Sequence, residues 1–284
     1  MSIAVIGAGG QLGQDLCPLL DPDVLRITRK DVDVTDYTGL EKVLTECSPD
    51  IVINLSACNL VDRCEEEPEL AFSVNAIGVR NIAMICSDLD CRLIHVSTDY
   101  VFGMEADRIH PYEEHESPGP ISVYGVSKLM GEFFVRTLCD RHLVVRTCGL
   151  YGRAGSRGKG GNFVQTMLRL AEERSEISVV SDQVCTPSST CDIAAGLVYL
   201  ARHPVEGICH LTNSGFCSWN EFATEIFRIT SKNVKVVPIR SVDFGAKARR
   251  PPYSVLSMSR YQSLGADPLP HWADSLAVYL GPGI

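Results

Sequence analysis

A glycine-rich turn close to the start of the chain constrains its fold more than any other feature. Three glycines, each three residues from the next, follow directly on the apolar residues 2–6. Glycines at this spacing allow a tight turn and let the backbone approach a pyrophosphate, which then rests on the N-terminus of the following helix. The sequence therefore predicts a strand, a turn and a helix that bind a dinucleotide, although a purely structural tight turn is the alternative. The loop residues assigned to this site are Gly7, Gly10, Gln11, Leu12 and Gly13.

Apolar runs alternate with helix-like segments along the first half of the chain. The runs predicted to be strands are residues 2–6, 24–28, 51–55, 92–97 and 142–147. The helices are predicted at residues 37–47, 68–87 and 123–140, and Pro18 should shorten the helix that starts at Gly10. Strands that alternate with helices and are apolar throughout form parallel sheets covered on both faces. We therefore expect an α/β fold, with a Rossmann-type, doubly wound parallel sheet built mainly from residues 1–150.

The pattern changes after residue 150. Residues 152–161 are rich in glycine and carry Arg153, Arg157 and Lys159, a composition that suits a diphosphate because the loop is basic and rich in backbone donors. A surface loop without a role is the alternative. Further helices and strands are predicted at residues 162–174, 176–180, 189–202, 208–211, 219–229 and 234–238. We expect residues 151–284 to form mainly a smaller α/β substrate-binding domain, with returns to the first sheet.

Bulk composition narrows the class of protein. The net charge of −9 at pH 7 argues against nucleic acid as the main partner. No apolar run approaches the roughly 20 residues that span a bilayer, and residues 1–6 read as a strand rather than a secretion leader, so we expect no membrane partner. The twelve cysteines include no CxxC pair. We expect buried or half-buried free thiols in a reducing compartment, which indicates a cytoplasmic location.

The end of the second predicted strand reads Thr28-Arg29-Lys30. An acid at this place would bind the ribose 2′-hydroxyl of NAD, whereas Arg29 is better suited to the 2′-phosphate of NADP. We therefore expect NADP to be the preferred cofactor, with NAD as the second choice, and a solvated Arg-Lys turn is the alternative. The remaining residues assigned to the cofactor site are Asp33, Val34, Ser56, Ala57, Tyr124 and Lys128.

Tyr124 and Lys128 stand four residues apart and therefore share one face of a helix. An ammonium beside a phenol favours the phenolate, so we expect the pKa of Tyr124 to fall from about 10 toward the working range of a proton donor. Thr98, at the end of the fourth strand, could hydrogen-bond the same carbonyl or alcohol. A Tyr–Lys pair alone is common on surface helices. Combined with Thr98 and a dinucleotide loop, the pair indicates hydride transfer to or from a carbon–oxygen bond.

Short motifs along the whole chain resemble the dTDP-4-dehydrorhamnose reductase family, in the extended short-chain dehydrogenase/reductase superfamily. The motifs are Gly10-Gln11-Leu12-Gly13, Ser97-Thr98-Asp99-Tyr100-Val101-Phe102, Val123-Tyr124-Gly125-Val126-Ser127-Lys128, Arg146-Thr147, Tyr151-Gly152, Asn162-Phe163, Asp182-Gln183 with Pro187, and Arg250-Pro251. That family reduces the 4-keto group of dTDP-6-deoxy-L-lyxo-4-hexulose with NADPH or NADH, which gives dTDP-L-rhamnose for cell-surface polysaccharide. The resemblance implies that Thr98 orients the carbonyl, Tyr124 exchanges the proton, and Lys128 holds the nicotinamide ribose and tunes Tyr124.

The resemblance also implies a set of substrate contacts. They are Thr98, Asp99, Tyr100, Asn162, Gln183 and Arg250, of which Arg250 would pair with the substrate diphosphate. Related sugar-nucleotide dehydratases have Asp-Glu after the threonine for acid–base elimination, whereas here Asp99 precedes Tyr100, which favours simple reduction. Tyr100 as a packed aromatic without a substrate contact is the alternative. Some family members have Ser-Trp-Val where this chain has Cys148-Gly149-Leu150, so that stacking surface is missing.

Two other functions are compatible with the same scaffold. A protein resembling the regulatory subunit of methionine adenosyltransferase would keep the cofactor site but serve a partner enzyme, and the intact Thr98, Tyr124 and Lys128 argue against it. A sugar-nucleotide epimerase would retain NAD tightly, and Arg29 weighs modestly against that reading. Some family members bind magnesium at a dimer interface. Because the later acid is replaced here by Cys191, we expect no metal, and a homodimer is an expectation from the resemblance alone.

Overall fold

A computed structural model of the protein describes residues 1–155 and 160–281. Arg157 and Lys159 of the basic loop lie outside the described residues. In chain order the strands and helices are β1 (Ile3–Ile6), α1 (Gln11–Leu16), β2 (Leu25–Ile27), α2 (Tyr37–Cys47), β3 (Ile51–Asn54), α3 (Val61–Glu66), α4 (Pro68–Phe72), α5 (Val79–Asp88), β4 (Arg92–Thr98), α6 (Val123–Leu138), β5 (His142–Thr147), β6 (Leu150–Tyr151), α7 (Phe163–Glu173), β7 (Glu176–Val180), β8 (Val184–Cys185), β9 (Ser188–Ser189), α8 (Thr190–Arg202), β10 (Gly207–His210), β11 (Cys217–Ser218), α9 (Trp219–Ile229), β12 (Lys235–Ile239), α10 (Ser241–Phe244), α11 (Ser259–Ser263) and α12 (Trp272–Tyr279).

A six-stranded sheet in the order β10-β5-β4-β3-β1-β2 forms the centre of the fold, and every neighbouring pair is parallel. Its inner strands β1 and β3 are buried along their whole length, and so on both faces. Alternate residues of one strand, such as Val5 and Ala4 of β1, belong to different hydrophobic clusters on opposite sides of the sheet. The predicted doubly wound parallel sheet is therefore confirmed. As the sequence indicated, α1 ends before Pro18, which lies in a short 3₁₀ turn (Cys17–Leu19).

The chain after residue 150 contributes to the sheet as well as building a second region. Helix α8 packs against α1, and β10 extends the sheet beside β5. A separate hydrophobic cluster forms between α7, α9, α12 and the parallel pair β7–β12. The division of the chain into two domains at residue 150 stays a prediction, because elements after that residue belong both to the central sheet and to the second region.

One helical stretch of the described chain, Pro68–Asp88, is long and apolar enough by length and composition to cross a membrane. The expectation that no segment approaches this length was therefore wrong. Its inward residues, among them Val79, Ile82 and Cys86, are fully buried and pack in the core on one face of the sheet. A π-helical turn (Ser73–Gly78) joins α4 to α5 within it. In this structure the stretch is a core helix.

Most of the cysteines are buried, as expected, but two are exposed. None of them forms a disulfide within the described parts of the chain, and only Cys47 and Cys191 are exposed.

Candidate active site

A cleft of about 960 Å³ opens at the carboxyl ends of the central strands, where ligands bind in sheets of this kind. Its walls bring together most of the residues singled out from the sequence, although they come from distant parts of the chain. The predicted residues that line it are Gly7, Gly10, Gln11, Leu12, Gly13, Arg29, Asp33, Val34, Ser56, Ala57, Thr98, Asp99, Tyr100, Tyr124, Lys128 and Asn162. One continuous cavity therefore joins the glycine loop to the Thr–Tyr–Lys set.

The glycine loop forms a backbone cradle that side chains would fill. Gly7 has φ +83°, and a Cβ there would lie 2.9 Å from the backbone nitrogen of Ser56. A Cβ on Gly13 would lie 2.6 Å from the carbonyl oxygen of Ala8, so this glycine allows α1 to pack tightly on the loop. Both positions require glycine for close backbone packing. The cradle fits the pyrophosphate of a dinucleotide, with Gly10 as the N-cap residue of α1.

Arg29 and Asp33 lie together at the far end of the cleft, just beyond β2. The Arg29 side chain is 82% exposed, and its Nε lies 3.1 Å from Asp33 Oδ2. The Arg29 charge and hydrogen bonds from Thr35 hold the pKa of Asp33 below its usual range, with the backbone bond from Thr35 as the largest cause. An exposed guanidinium held loosely by one carboxylate is free to turn toward a phosphate group.

Helix α6 carries Tyr124 and Lys128 toward the end of β4, where Thr98 lies. Ser122 caps this helix by accepting a hydrogen bond from Gly125 N at 3.1 Å. Gly125 also lets α6 approach the turn after β4, since a Cβ there would lie 2.2 Å from Tyr100 O. This close approach places Tyr124 beside Thr98, which is the arrangement that the sequence predicted.

Lys128 is only 2% exposed, and its Nζ donates to Val96 O at 2.8 Å. Burial lowers the pKa of Lys128 to about 8, while the charge of Glu132 acts in the opposite direction. The side chain therefore lies close to its titration point near neutral pH.

The expected lowering of the Tyr124 pKa is wrong for the protein alone. Tyr124 is half-buried in the cleft wall, and desolvation raises its pKa above the usual value. Hydrogen bonding with Thr98 acts to lower this pKa, and the nearby Asp99 charge raises it further. A neighbouring ammonium lowers a phenol's pKa, but burial outweighs that effect here at rest. A neutral phenol is the form that can donate a proton to a developing alkoxide.

A buried ion pair supports the catalytic helix from behind. Glu132 lies one turn beyond Lys128, and its carboxylate accepts from Arg146 Nη2 at 2.7 Å and from Ser97 Oγ at 2.5 Å. Glu132 and Arg146 are each 1% exposed. The contact ties α6 to β4 and β5 at the level of the Thr–Tyr–Lys set. Sequence reasoning did not identify Glu132, although its four-residue spacing from Lys128 was a usable signal.

Two predicted substrate residues do not line the cleft within the described chain. Gln183 is buried and donates to Ser241 Oγ at 2.8 Å. Arg250 forms a bidentate salt bridge with Asp62, with Nη2 2.8 Å from Oδ2 and Nη1 3.3 Å from Oδ1. Arg250 also interacts with Tyr100, the residue after Asp99. It therefore lies close behind the cleft wall, with its guanidinium already paired.

Tyr100 and Asn162 flank the cleft from two sides. The Tyr100 ring meets the Tyr124 ring edge-on, with centroids 5.6 Å apart. Asn162 caps α7 and donates from Nδ2 to Gln11 Oε1 at 3.1 Å, which joins the basic loop region to the glycine loop. Tyr100 is therefore a cleft residue as well as a packed aromatic.

Several cleft residues were missed by sequence reasoning. They are Asn59, Val61, Cys185, Trp219 and Ser254, whereas Thr147, Cys148 and Phe163 also line the cleft and lie in stretches already singled out from the sequence. Cys148 belongs to the stretch already compared with the Ser-Trp-Val of some relatives, whereas Ser254 carries no local signal. Gly149, where some relatives have tryptophan, has φ +56°, and a Cβ would lie 3.0 Å from Pro187 Cα. This backbone suits glycine. No group of three or more potential ligand side chains that could hold a metal occurs in residues 1–155 or 160–281.

Comparison with known proteins adds an independent finding. The family model described as RmlD substrate binding domain matches residues 1–282. A dTDP-4-dehydrorhamnose reductase of Streptomyces griseus is 39% identical over 96% of this chain and 90% of its own. The spore coat polysaccharide biosynthesis protein SpsK of Bacillus subtilis is 38% identical, with 98% and 96% covered. The crystal structure of dTDP-4-dehydrorhamnose reductase from Bacillus anthracis in complex with NADP matches with a TM-score of 0.93 and 38% identity, covering 98% of both chains.

Proposed function

We propose that this chain, which belongs to the dTDP-4-dehydrorhamnose reductase family of extended short-chain dehydrogenases/reductases, reduces the 4-keto group of a dTDP-linked 6-deoxyhexulose. The substrate is dTDP-6-deoxy-L-lyxo-4-hexulose, the product is dTDP-L-rhamnose, and NADPH is preferred over NADH. The observation that carries the proposal is the single cleft that joins the glycine cradle to Thr98, Tyr124 and Lys128.

The residues present fit a dinucleotide. The glycine cradle would hold the pyrophosphate, Arg29 would contact the 2′-phosphate of NADP, and Lys128 would hold the nicotinamide ribose. Gly7 and Gly13 support this reading, because each sits where a Cβ would strike neighbouring backbone. When bound, the reduced nicotinamide supplies a hydride to the carbonyl carbon.

The chain's own residues supply the proton that the carbonyl oxygen receives. Tyr124, neutral at rest, donates its hydroxyl proton to the carbonyl oxygen as that oxygen becomes an alkoxide. Lys128 in its charged form stabilises the phenolate left behind, and solvent returns the proton to Tyr124 after the alcohol leaves. Thr98 gives its hydroxyl proton to Asp99, so we assign it to holding the Tyr124 hydroxyl beside the carbonyl rather than to binding the carbonyl itself. Asp99 is followed by Tyr100 instead of a second carboxylate, which supports reduction rather than elimination.

The rest of the substrate would extend from this point over the later chain. We assign residues 1–150 mainly to the cofactor and residues 151–284 mainly to the sugar nucleotide. Asn162 is supported by its place in the cleft, whereas Arg250 would have to exchange Asp62 for the diphosphate. Gln183 would have to leave Ser241. A cytoplasmic location is supported by the reduced cysteines, and a homodimer rests on the resemblance alone.

The test follows the loss of NADPH absorbance with the keto sugar, generated in place from dTDP-glucose by the upstream enzymes. NADH is measured in parallel. Turnover should vanish in Tyr124→Phe while NADPH still binds, because only the transferable proton is removed. Tyr37→Phe, which alters a half-buried phenol that donates to Glu41 outside the cleft lining, is the matched control and should keep full activity.

Other outcomes identify the competing functions. Full activity in Tyr124→Phe would contradict the proton-transfer role. Tightly held NAD in the purified protein, with no net cofactor oxidation, would point to an epimerase. Cofactor binding without turnover of the keto sugar would point to a different keto sugar or to a regulatory protein.

A further inference from the structure

The carboxylate of Asp99 is occupied by protein donors on both oxygens. Asp99 starts a short 3₁₀ turn (Asp99–Val101) directly after β4 and is 2% exposed. Its Oδ1 accepts from Thr98 Oγ1 at 3.0 Å, and its Oδ2 accepts from Ser254 Oγ at 2.5 Å and from Cys148 Sγ at 3.1 Å. Three of the roughly four acceptor positions of the carboxylate are therefore filled without any substrate.

These contacts fix the hydroxyl of Thr98. A threonine hydroxyl has one proton and two acceptor lone pairs, and here the proton is given to Asp99. Tyr100 N donates to the same Oγ1 at 3.2 Å, which holds the oxygen from a second side. The same oxygen is in hydrogen-bond contact with the Tyr124 phenol, and this contact acts to lower the pKa of Tyr124. Asp99 and Tyr100 therefore hold the Thr98 oxygen in place beside the Tyr124 hydroxyl.

We propose that Asp99 is a positioning residue that acts on the reaction through Thr98, rather than a contact to the sugar. This inference rests on the proposed reduction and refines it. Asp99 holds the Thr98 oxygen in one place, and that contact fixes the position of the Tyr124 hydroxyl beside the place of the substrate carbonyl. Ser254 and Cys148 in turn donate to Asp99. These bonds connect residue 254 and the residue that follows β5 to the proton donor, Tyr124. Preorganised hydrogen bonds of this kind act on the chemical step more than on substrate affinity.

A direct contact would behave differently. If Asp99 bound a sugar hydroxyl, its removal would weaken substrate binding and raise KM. If it positions Thr98, its removal lowers kcat and leaves KM nearly unchanged, because the substrate loses no partner. The two roles also differ in their dependence on Thr98, since a positioning residue has nothing to act on once the hydroxyl is gone.

The deciding experiment is a double-mutant cycle of Asp99→Ala and Thr98→Val, with kcat and KM for the keto sugar. We expect Asp99→Ala to lower kcat about tenfold or more with KM within about twofold. In the Thr98→Val background it should have no further effect. Asp99→Asn should recover most of kcat, because the amide oxygen can still accept from Thr98. Ser257→Ala, which changes a serine outside the cleft lining, is the control and should match the unaltered protein.

A raised KM in Asp99→Ala would overturn the proposal. So would a double variant whose loss of kcat equals the product of the two single losses. If Asp99→Ala does not fold, Asp99→Asn in both backgrounds completes the same cycle with a smaller expected loss. If the unaltered protein does not reduce the keto sugar, the proposed function fails, and crystal structures decide the positioning separately. Thr98 should occupy more than one rotamer in Asp99→Ala or Asp99→Asn, and a single unchanged rotamer in the variant would refute the role.

Discussion

Replacing Lys128 by methionine should stabilise the protein at neutral pH while abolishing turnover. The side chain is 2% exposed, and burial lowers its pKa from 10.5 to about 8. Folding therefore places an ammonium in surroundings that disfavour its charge. Methionine fills a similar volume without the charge, so the cost of burial is removed together with the catalytic group.

The size of the effect follows from the two pKa values. One pH unit between them corresponds to about 1.4 kcal/mol, so the charged Lys128 costs the folded state about 3 kcal/mol at pH 7. The variant also loses the hydrogen bond to Val96 O, which is worth about 1 kcal/mol. The net gain in the free energy of unfolding should be about 2 kcal/mol at pH 7.

The gain should depend on pH with a definite sign. Because the folded pKa lies below the unfolded one, the unfolded chain binds more protons between pH 8 and 10.5, and the stability of the unaltered protein rises with pH there. The methionine variant lacks this rise, so its advantage should shrink by about 2 kcal/mol between pH 7 and about pH 9.5.

Urea unfolding of both proteins at the two pH values measures this difference. Lys235→Met is the matched control, because that lysine is exposed and pairs with Glu176 on the surface. It should show little change in stability at either pH. If Lys128→Met is destabilised equally at both pH values, the assignment of a costly buried charge to Lys128 is wrong.

Two further predictions test the cofactor end and the buried ion pair. Arg29→Ala should weaken NADPH binding about tenfold and leave NADH binding unchanged, because a 2′-phosphate loses a charged partner; equal losses in fluorescence titrations of both cofactors would contradict this. Glu132→Gln should lower the free energy of unfolding by about 3–5 kcal/mol, since it leaves the buried Arg146 unpaired. Combining it with Arg146→Met should recover most of that loss in urea unfolding, and additive losses would count against the explanation.

The cofactor half of the site could be predicted from the sequence because its determinants are local. In a βαβ unit the glycine turn follows β1, and the end of each later strand lies at the same edge of the sheet. Gly7, Thr98 and Tyr124 therefore converge once the strands and helices are correct. Helix α2 (Tyr37–Cys47) and strand β5 (His142–Thr147) were predicted to the residue, since the first has helical apolar spacing and the second is built around a short apolar run.

The substrate half could not be predicted in the same way, since its contacts join residues far apart in sequence. Ser254 reaches Asp99 across 155 positions, and Arg250 reaches Asp62 across 188. A motif identifies such residues as candidates but does not say which partner each of them finds. Gln183 shows the same limit. It lies in a motif that resembles the family, but its side-chain amide donates a hydrogen bond to Ser241.

The pKa of Tyr124 depends both on helix spacing, which the sequence shows, and on side-chain partners, which only the structure shows. On a helix, Lys128 and Glu132 have the spacing of an ion pair, and such a pair would hold the ammonium away from the phenol. The structure instead commits Glu132 to Arg146 and Ser97, so Lys128 donates to Val96 O and lines the cleft with Tyr124. Burial keeps the phenol neutral at rest, and the charge of Lys128 becomes useful only when the proton leaves. The electrostatic field of Lys128 therefore stabilises the transition state more than the resting state, and so it lowers the barrier to proton transfer.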